Sequence, residues 1–232
     1  MFCLVRTSTQ GKPQEGISFI MIDMKSKGIS VDPIITIDGS HEINTVYLEN
    51  VMVPKENLIY EVNESWSVAK FLLSHEMTSI AAVGRSKSAL RKLKEIAAIE
   101  YNNDEKPLIN DRRFRDQLTT LEMDLKALEY TELRILSKES QGTAPGPEAS
   151  LLKIQGSEIQ QRITELTLNA VGYQGLIHNE ENVNYDRLND FSVVPDYAEN
   201  AASNYLNKRK TTIYGGSNEI QKNILSKMVL GL

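Results

Sequence analysis

The stretch LTTLEMDLKALEYTELRI, residues 118–135, indicates the fold class of this sequence. Its apolar residues recur at spacings of three, four or seven, at Leu118, Leu121, Leu125, Leu128 and Ile135. Glutamate, lysine and other polar residues fill most of the remaining positions. Such spacing places the apolar side chains on one face of an α-helix that packs within a bundle. The stretch therefore predicts a long amphipathic helix.

Helical periodicity extends over most of the chain after Trp66. Glycine and proline between Gly142 and Gly146 end the long helix. The next helix is predicted to carry an apolar stripe at Leu152, Ile159, Ile163, Leu166 and Ala170. A fourth helix is predicted to start at Pro195 and a fifth to span Asn218 to Leu230, whereas residues 172–195 interrupt the pattern.

The chain before Trp66 consists of short apolar or β-branched runs separated by turn residues, which is typical of β-strands. The predicted strands are Phe2–Val5, Ile17–Asp23, Ile29–Ile37, Thr45–Leu48 and Val51–Val53. Five short strands are few for an independent sheet. We therefore predict a mainly α fold, with a partial antiparallel β domain over residues 1–60 and an up-and-down helical bundle over residues 61–232.

Composition excludes several classes of function. A formal net charge of -5 argues against a nucleic-acid-binding protein, because such proteins need a basic surface to displace counterions from phosphates. The single cysteine, Cys3, cannot form an internal disulfide. No spacing of histidine, cysteine or acidic residues resembles a metal site, and no apolar run is long enough to cross a membrane. We expect a cytoplasmic protein.

Three passages resemble the acyl-CoA dehydrogenase family. CLVRT at residues 3–7 and NVMVP at residues 50–54 resemble the closing strands of that family's middle domain. ASLLK at residues 149–153, followed by Gly156-Ser157-Glu158, resembles a helix of its C-terminal domain. YGGSNEIQ at residues 214–221 resembles its terminal signature. Together these passages cover nearly the whole chain.

The resemblance implies α,β-dehydrogenation of an acyl-CoA thioester with FAD as cofactor. A carboxylate removes the α-proton while the β-hydrogen passes as hydride to the flavin, and an electron-transfer flavoprotein accepts the electrons. It also implies assembly as a homodimer or homotetramer through the C-terminal helices. Because family members have an amino-terminal helical domain that this chain is expected to lack, we expect the isolated chain to self-associate without dehydrogenase activity.

The catalytic base is predicted to be Glu76. Many relatives carry a glutamate after the tyrosine of the terminal signature, where this chain has Gly215. Another branch places its glutamate early in the first long helix, at the position of Glu76. Leu72, Glu76, Ile80 and Val83 have the spacing of one helix face, so the carboxylate is expected within an apolar stripe. The alternative is a surface glutamate at the edge of that stripe.

The flavin is predicted to contact the terminal signature. Gly215, Gly216 and Ser217 precede a helix whose free backbone N–H groups could meet a phosphate or a ring oxygen. The resemblance favours FAD contacts by Ser217 and Glu219. The alternative is a simple Gly-Gly turn in which Ser217 caps the helix.

Several family motifs are altered in this sequence. Relatives carry Gly-x-x-x-x-Gly-Trp before the first long helix, an arginine after its glutamate, Arg-x-x-Phe-Gly after that helix, and Gln-x-x-Gly-Gly later. In this chain the first motif falls on Tyr60 and Glu64, and the arginine position is Met77. The third motif falls on Tyr101 and Asp104, and the fourth on Leu168 to Gly172. Of these positions only Gly172 keeps the family residue. These changes favour an alternative function: a non-catalytic assembly subunit that pairs with a related dehydrogenase subunit.

Overall fold

The computed structural model describes residues 1–142, 146–177 and 194–232, and for residues 73–80 it describes the helical backbone alone. The described chain is mainly α, as predicted. Its helices are α1 (Trp66–Ala81), α2 (Val83–Ile99), α3 (Arg112–Ser140), α4 (Glu148–Val171), α5 (Asp196–Glu199), α6 (Ala201–Lys208) and α7 (Asn218–Leu225). Short 3₁₀ turns occupy Lys55–Asn57, Leu108–Asn110, Gly172–Leu176 and Arg209–Thr212, and a π turn, Ser226–Leu230, follows α7.

The amphipathic stripes predicted for the two longest helices form the core. All five stripe residues of α3 and all five of α4 are buried. They pack in one hydrophobic cluster with Leu90, Leu93 and Ile96 of α2. Asp111 caps α3 by accepting a hydrogen bond from the Phe114 backbone N–H at 3.0 Å. The apolar periodicity of the sequence thus predicts correctly which helix faces are buried.

The chain between α1 and α2 does not form one continuous helix. Ala82 has φ 50° and ψ 37°, a left-handed conformation that ends α1 and sets a new direction for α2. Val83 therefore belongs to α2. The sequence analysis predicted that Val83 shares a helix face with Leu72 and Glu76, and that prediction is wrong for Val83. The residue type at position 82 does not indicate this break, because alanine is the strongest helix former.

The strands form two antiparallel sheets. β1 (Phe2–Arg6), β2 (Ile17–Met21) and β5 (Leu58–Ile59) form one sheet in the order β1-β2-β5, and β3 (Ile29–Ile35) pairs with β4 (His41–Leu48) in the other. The register pairs Leu4 with Phe19 and Val31 with Val46.

The predicted strand at Val51–Val53 is wrong. This segment forms no strand, and Pro54 at its end has no N–H to donate to a ladder. The final strand lies further along the chain at Leu58–Ile59, where Phe19 pairs with Ile59.

The chain divides into two compact units. One comprises Met1–Ile35 with His41–His75, and the other comprises Thr36–Ser40 with Glu76–Leu232. The predicted domain boundary at residue 60 stays a prediction. No helix in the described part of the chain is both long and apolar enough to span a membrane.

A hydrogen-bonded turn at Thr36–Ser40 belongs to the mainly helical unit. The buried Asp38 carboxylate accepts hydrogen bonds from the Thr36 hydroxyl, the Ser40 hydroxyl at 2.6 Å and the Asn207 amide of α6 at 2.9 Å. The Asp38 backbone oxygen accepts a further bond from Ser203 at 3.1 Å. Burial alone would raise the pKa of Asp38, but these hydrogen bonds outweigh burial and hold the pKa at about 2.

Replacing Asp38 with asparagine is expected to lower the free energy of unfolding by about 1–3 kcal/mol at neutral pH, because charge-assisted hydrogen bonds are lost. The ionised form stabilises the folded state, so this contribution is present above pH 3.8 and is lost as the pH falls to about 2. Urea unfolding at several pH values measures it, with the exposed Asp32 as the matched control, Asp32→Asn. An equal effect of both substitutions would contradict the assignment.

Candidate functional site

The terminal signature forms a turn that only glycine fits comfortably. Gly215 and Gly216 have φ of 66° and 81°, the left-handed region in which other residues are strained. A Cβ atom on Gly216 would lie 2.4 Å from Nε2 of Gln221. The turn is half-buried to exposed, so its backbone faces the surface of this chain.

Ser217 caps α7, which agrees with the local alternative in the sequence analysis. Its hydroxyl oxygen accepts a hydrogen bond from the Ile220 backbone N–H at 3.4 Å. The exposed Glu219 carboxylate accepts bonds from its own backbone N–H and from the Ser217 hydroxyl, which hold the pKa of Glu219 below its usual value. An ionised acceptor therefore lies at the positive end of the helix dipole.

A buried polar cluster lies beneath this turn. Lys153 of α4 is fully buried, and its Nζ donates to Oδ1 of Asn218 at 2.7 Å. The Ser157 hydroxyl, one helical turn further along α4, lies 3.1 Å from Nδ2 of Asn218. Asn218 is the first residue of α7, so α4 holds the start of the signature helix directly.

Gln221 makes a second connection within the signature. Its Nε2 donates to the Gly215 backbone oxygen at 3.2 Å, which ties the first turn of α7 back to the glycines. Its Oε1 is buried and finds no hydrogen-bond partner among the described residues. The turn is thus held from α4 through Asn218 and from α7 through Gln221.

The sequence analysis named the exposed half of this site and missed the buried half. Gly215, Gly216, Ser217 and Glu219 lie along the turn and the start of α7, and their contact with a flavin stays a prediction. Lys153, Ser157, Asn218 and Gln221 were not predicted as site residues. A polar signal was present, because Lys153 and Ser157 are four residues apart on a helix whose buried residues are mostly apolar.

The predicted base and the altered motifs lie elsewhere in the chain. Glu76 falls in α1, but its side chain lies outside the described residues, and its role as the base stays a prediction. Tyr101 is exposed and forms an isolated bridge with Pro107 after α2. Gly172 ends α4 with φ 57°.

The exposed turn offers two features that a flavin nucleotide could use. Gly216 is exposed, and α7 begins two residues later with free backbone N–H groups that could meet a phosphate. The Ser217 oxygen and the ionised Glu219 carboxylate offer hydrogen-bonding groups suited to hydroxyl or amino groups of a nucleotide. No cluster of histidine, cysteine or acidic side chains in the described ranges could hold a metal ion.

Comparisons with known proteins identify similar sequences and folds. The family model described as acyl-CoA dehydrogenase, C-terminal domain, matches residues 63–230. Acyl-CoA dehydrogenase FadE34 of Mycobacterium tuberculosis is 28% identical over 99% of this chain and 28% of its own length. Acyl-CoA dehydrogenase IpdE1 of the same organism is 25% identical over 100% of this chain and 54% of its own length. The chain thus spans about half, or less, of the length of these relatives.

Solved structures share the fold. A structure of the ChsE4-ChsE5 complex from Mycobacterium tuberculosis superposes with a TM-score of 0.81 at 22% identity, over 100% of this chain and 56% of that chain. Butyryl-CoA dehydrogenase from Megasphaera elsdenii gives a TM-score of 0.74 at 20% identity, over 99% of this chain and 55% of that chain. At these identities the likeness shows the fold alone.

Proposed function

The chain belongs to the acyl-CoA dehydrogenase family, and we propose that it is the C-terminal part of an FAD-dependent enzyme that dehydrogenates an acyl-CoA thioester. The observation that supports this activity most directly is the exposed turn at residues 215–217, followed by the capped helix α7 and the ionised Glu219. The remaining flavin and substrate contacts are proposed to come from the parts of the family fold that precede this chain.

The residues of this chain have separate tasks in the proposed reaction. FAD, when bound, supplies the hydride acceptor. Ser217 and Glu219 hold the nucleotide by hydrogen bonds, and the glycines let it approach the backbone. Glu76 is proposed to take the α-proton of the thioester as a general base. The sequence places Leu72 and Ile80 four residues to either side of Glu76, which is the spacing of one helix face.

The assembly is proposed to involve related chains. A homodimer or homotetramer, in the cytoplasm, with an electron-transfer flavoprotein as electron acceptor, is the arrangement that the family resemblance implies. A non-catalytic subunit in an unlike-subunit dehydrogenase is the second candidate. The altered positions Tyr101, Asp104 and Leu168 favour it, and one solved structure of this fold is the ChsE4-ChsE5 complex.

Replacing Ser217 with alanine is expected to weaken FAD binding about tenfold in the protein purified with any co-encoded dehydrogenase subunit. The change removes a proposed flavin contact and an N-cap that contributes about 1 kcal/mol to helix stability. Equilibrium dialysis followed by flavin fluorescence measures the dissociation constant.

Asp111→Ala is the matched control for this prediction. It removes the N-cap of α3 in the same way, without changing the signature. The two variants are expected to lose similar stability, whereas only Ser217→Ala should lose flavin. Equal FAD affinity in both variants would contradict the proposed contact, and flavin retained only in the presence of the partner subunit would favour the second candidate.

A further inference from the structure

Lys153 is an unusual core residue. It is fully buried on α4, between Leu152 and Ile154, which are buried as well. Among the described residues, Lys153 forms no ion pair with a carboxylate, and the hydrogen bond that it donates there goes to the neutral amide of Asn218. A buried cation without a counter-ion is costly, and an apolar residue of similar volume is often at least as stable. Packing alone does not account for a lysine here.

The ammonium group of Lys153 contacts the start of α7. Asn218 Oδ1 accepts its hydrogen bond at 2.7 Å, and the same oxygen lies 3.2 Å from the Ser157 hydroxyl. Burial lowers the pKa of Lys153, and the charge of Glu219 offsets part of that effect. The lysine therefore interacts with the first two residues of α7, Asn218 and Glu219.

The position of Asn218 makes this contact relevant to the flavin site. Asn218 lies between Ser217 and Glu219, the two side chains proposed to contact FAD. Its own side chain points into the core, so its anchorage fixes the backbone that carries both neighbours. Gln221 anchors only the other end of the turn, at Gly215.

We propose that Lys153 is a positioning residue that acts through Asn218 to hold Ser217 and Glu219 in the arrangement that contacts the flavin nucleotide. This inference rests on the proposed flavin site. Lys153 itself is sealed from solvent in this chain and does not touch the ligand. Its task is to prevent the first turn of α7 from moving relative to α4. A misplacement of about 1 Å can lower the rate of an enzyme reaction roughly a hundredfold, and hydrogen bonds to a ligand likewise depend on position.

A double-mutant cycle with Lys153→Met and Asn218→Leu tests this inference on the full chain, purified with any co-encoded partner subunit. Each single variant is expected to raise the FAD dissociation constant about tenfold, and the double variant is expected to be no weaker than the weaker single variant. Lys153→Met should leave the melting temperature nearly unchanged, because it removes a buried charge that forms no ion pair among the described residues. The exposed Lys126→Met serves as control and should bind FAD as the wild type does.

Two results would overturn the inference. One is additive weakening in the double variant, by about a hundredfold, since independent effects multiply. The other is wild-type FAD affinity in Lys153→Met.

Amide hydrogen exchange at residues 216–221, without flavin, separates the inference from the proposed function. If the wild type binds no FAD, the proposed function fails, but the exchange measurement still decides the positioning role. Faster exchange in both single variants, with no further increase in the double variant, supports it. Unchanged exchange in Lys153→Met overturns it.

Discussion

Replacing Glu76 with glutamine is expected to lower the turnover number of the assembled dehydrogenase by about 10²- to 10⁴-fold, the range that general-base catalysis contributes. Glutamine has nearly the same shape as glutamate but cannot accept the α-proton. Substrate binding is expected to change little, so the loss should fall on kcat and not on KM. Steady-state kinetics with an artificial electron acceptor measures both constants.

Glu95→Gln is the matched control for this experiment. Glu95 lies on α2, is exposed, and makes only a long contact of 4.0 Å with Arg91. Its replacement is expected to leave turnover within about twofold of the wild type, as is usual for surface changes remote from a site. Turnover of Glu76→Gln within a few-fold of the wild type would rule out Glu76 as the base.

Replacing Gly156 with leucine is expected to destabilise the helical unit by about 3 kcal/mol or more, because overpacking a close contact forces the backbone apart. A Cβ atom at Gly156 would lie 2.7 Å from both Cα and the carbonyl oxygen of Ala81, distances that ordinary contacts do not reach. Neither atom can rotate away, since both belong to the backbone at the end of α1. Thermal unfolding followed by circular dichroism measures the loss.

Gly84→Leu is the control, and its expected effect on stability has the opposite sign. Gly84 lies in α2, and a Cβ atom there meets nothing within 4 Å. Leucine should stabilise this helix by up to about 1 kcal/mol, because glycine is a poor helix former. If both variants shift the melting temperature in the same direction, the close approach of α4 to Ala81 is not as described.

The helical part of the fold could be predicted because its apolar residues recur at regular spacings between near neighbours in the sequence. The stripes of α3 and α4 repeat over several turns, so their buried faces follow from the spacing of apolar residues. The break at Ala82 could not be predicted, since alanine favours helix and only tertiary packing selects its left-handed conformation. The two-residue strand Leu58–Ile59 is likewise defined by its partner β2 and not by its own sequence.

The candidate site likewise has a part that could be predicted from the sequence and a part that could not. Gly216 and Ser217 could be predicted because a turn and an N-cap depend on neighbouring residues. The contact between Lys153 and Asn218 joins positions 65 residues apart, and no spacing rule connects them. The sequence shows only a lysine between Leu152 and Ile154, which marks an unusual position but does not identify its partner.

Reduction of bound flavin by substrate tests the central claim most directly. The chain is purified with the complete assembly, and its visible flavin absorbance is followed under anaerobic conditions while an acyl-CoA is added. The account predicts that the wild type loses this absorbance as the thioester is dehydrogenated, and that Glu76→Gln keeps both its flavin and its absorbance. An assembly that contains flavin but is not reduced by acyl-CoA thioesters of any chain length, or one that contains no flavin, would contradict the account.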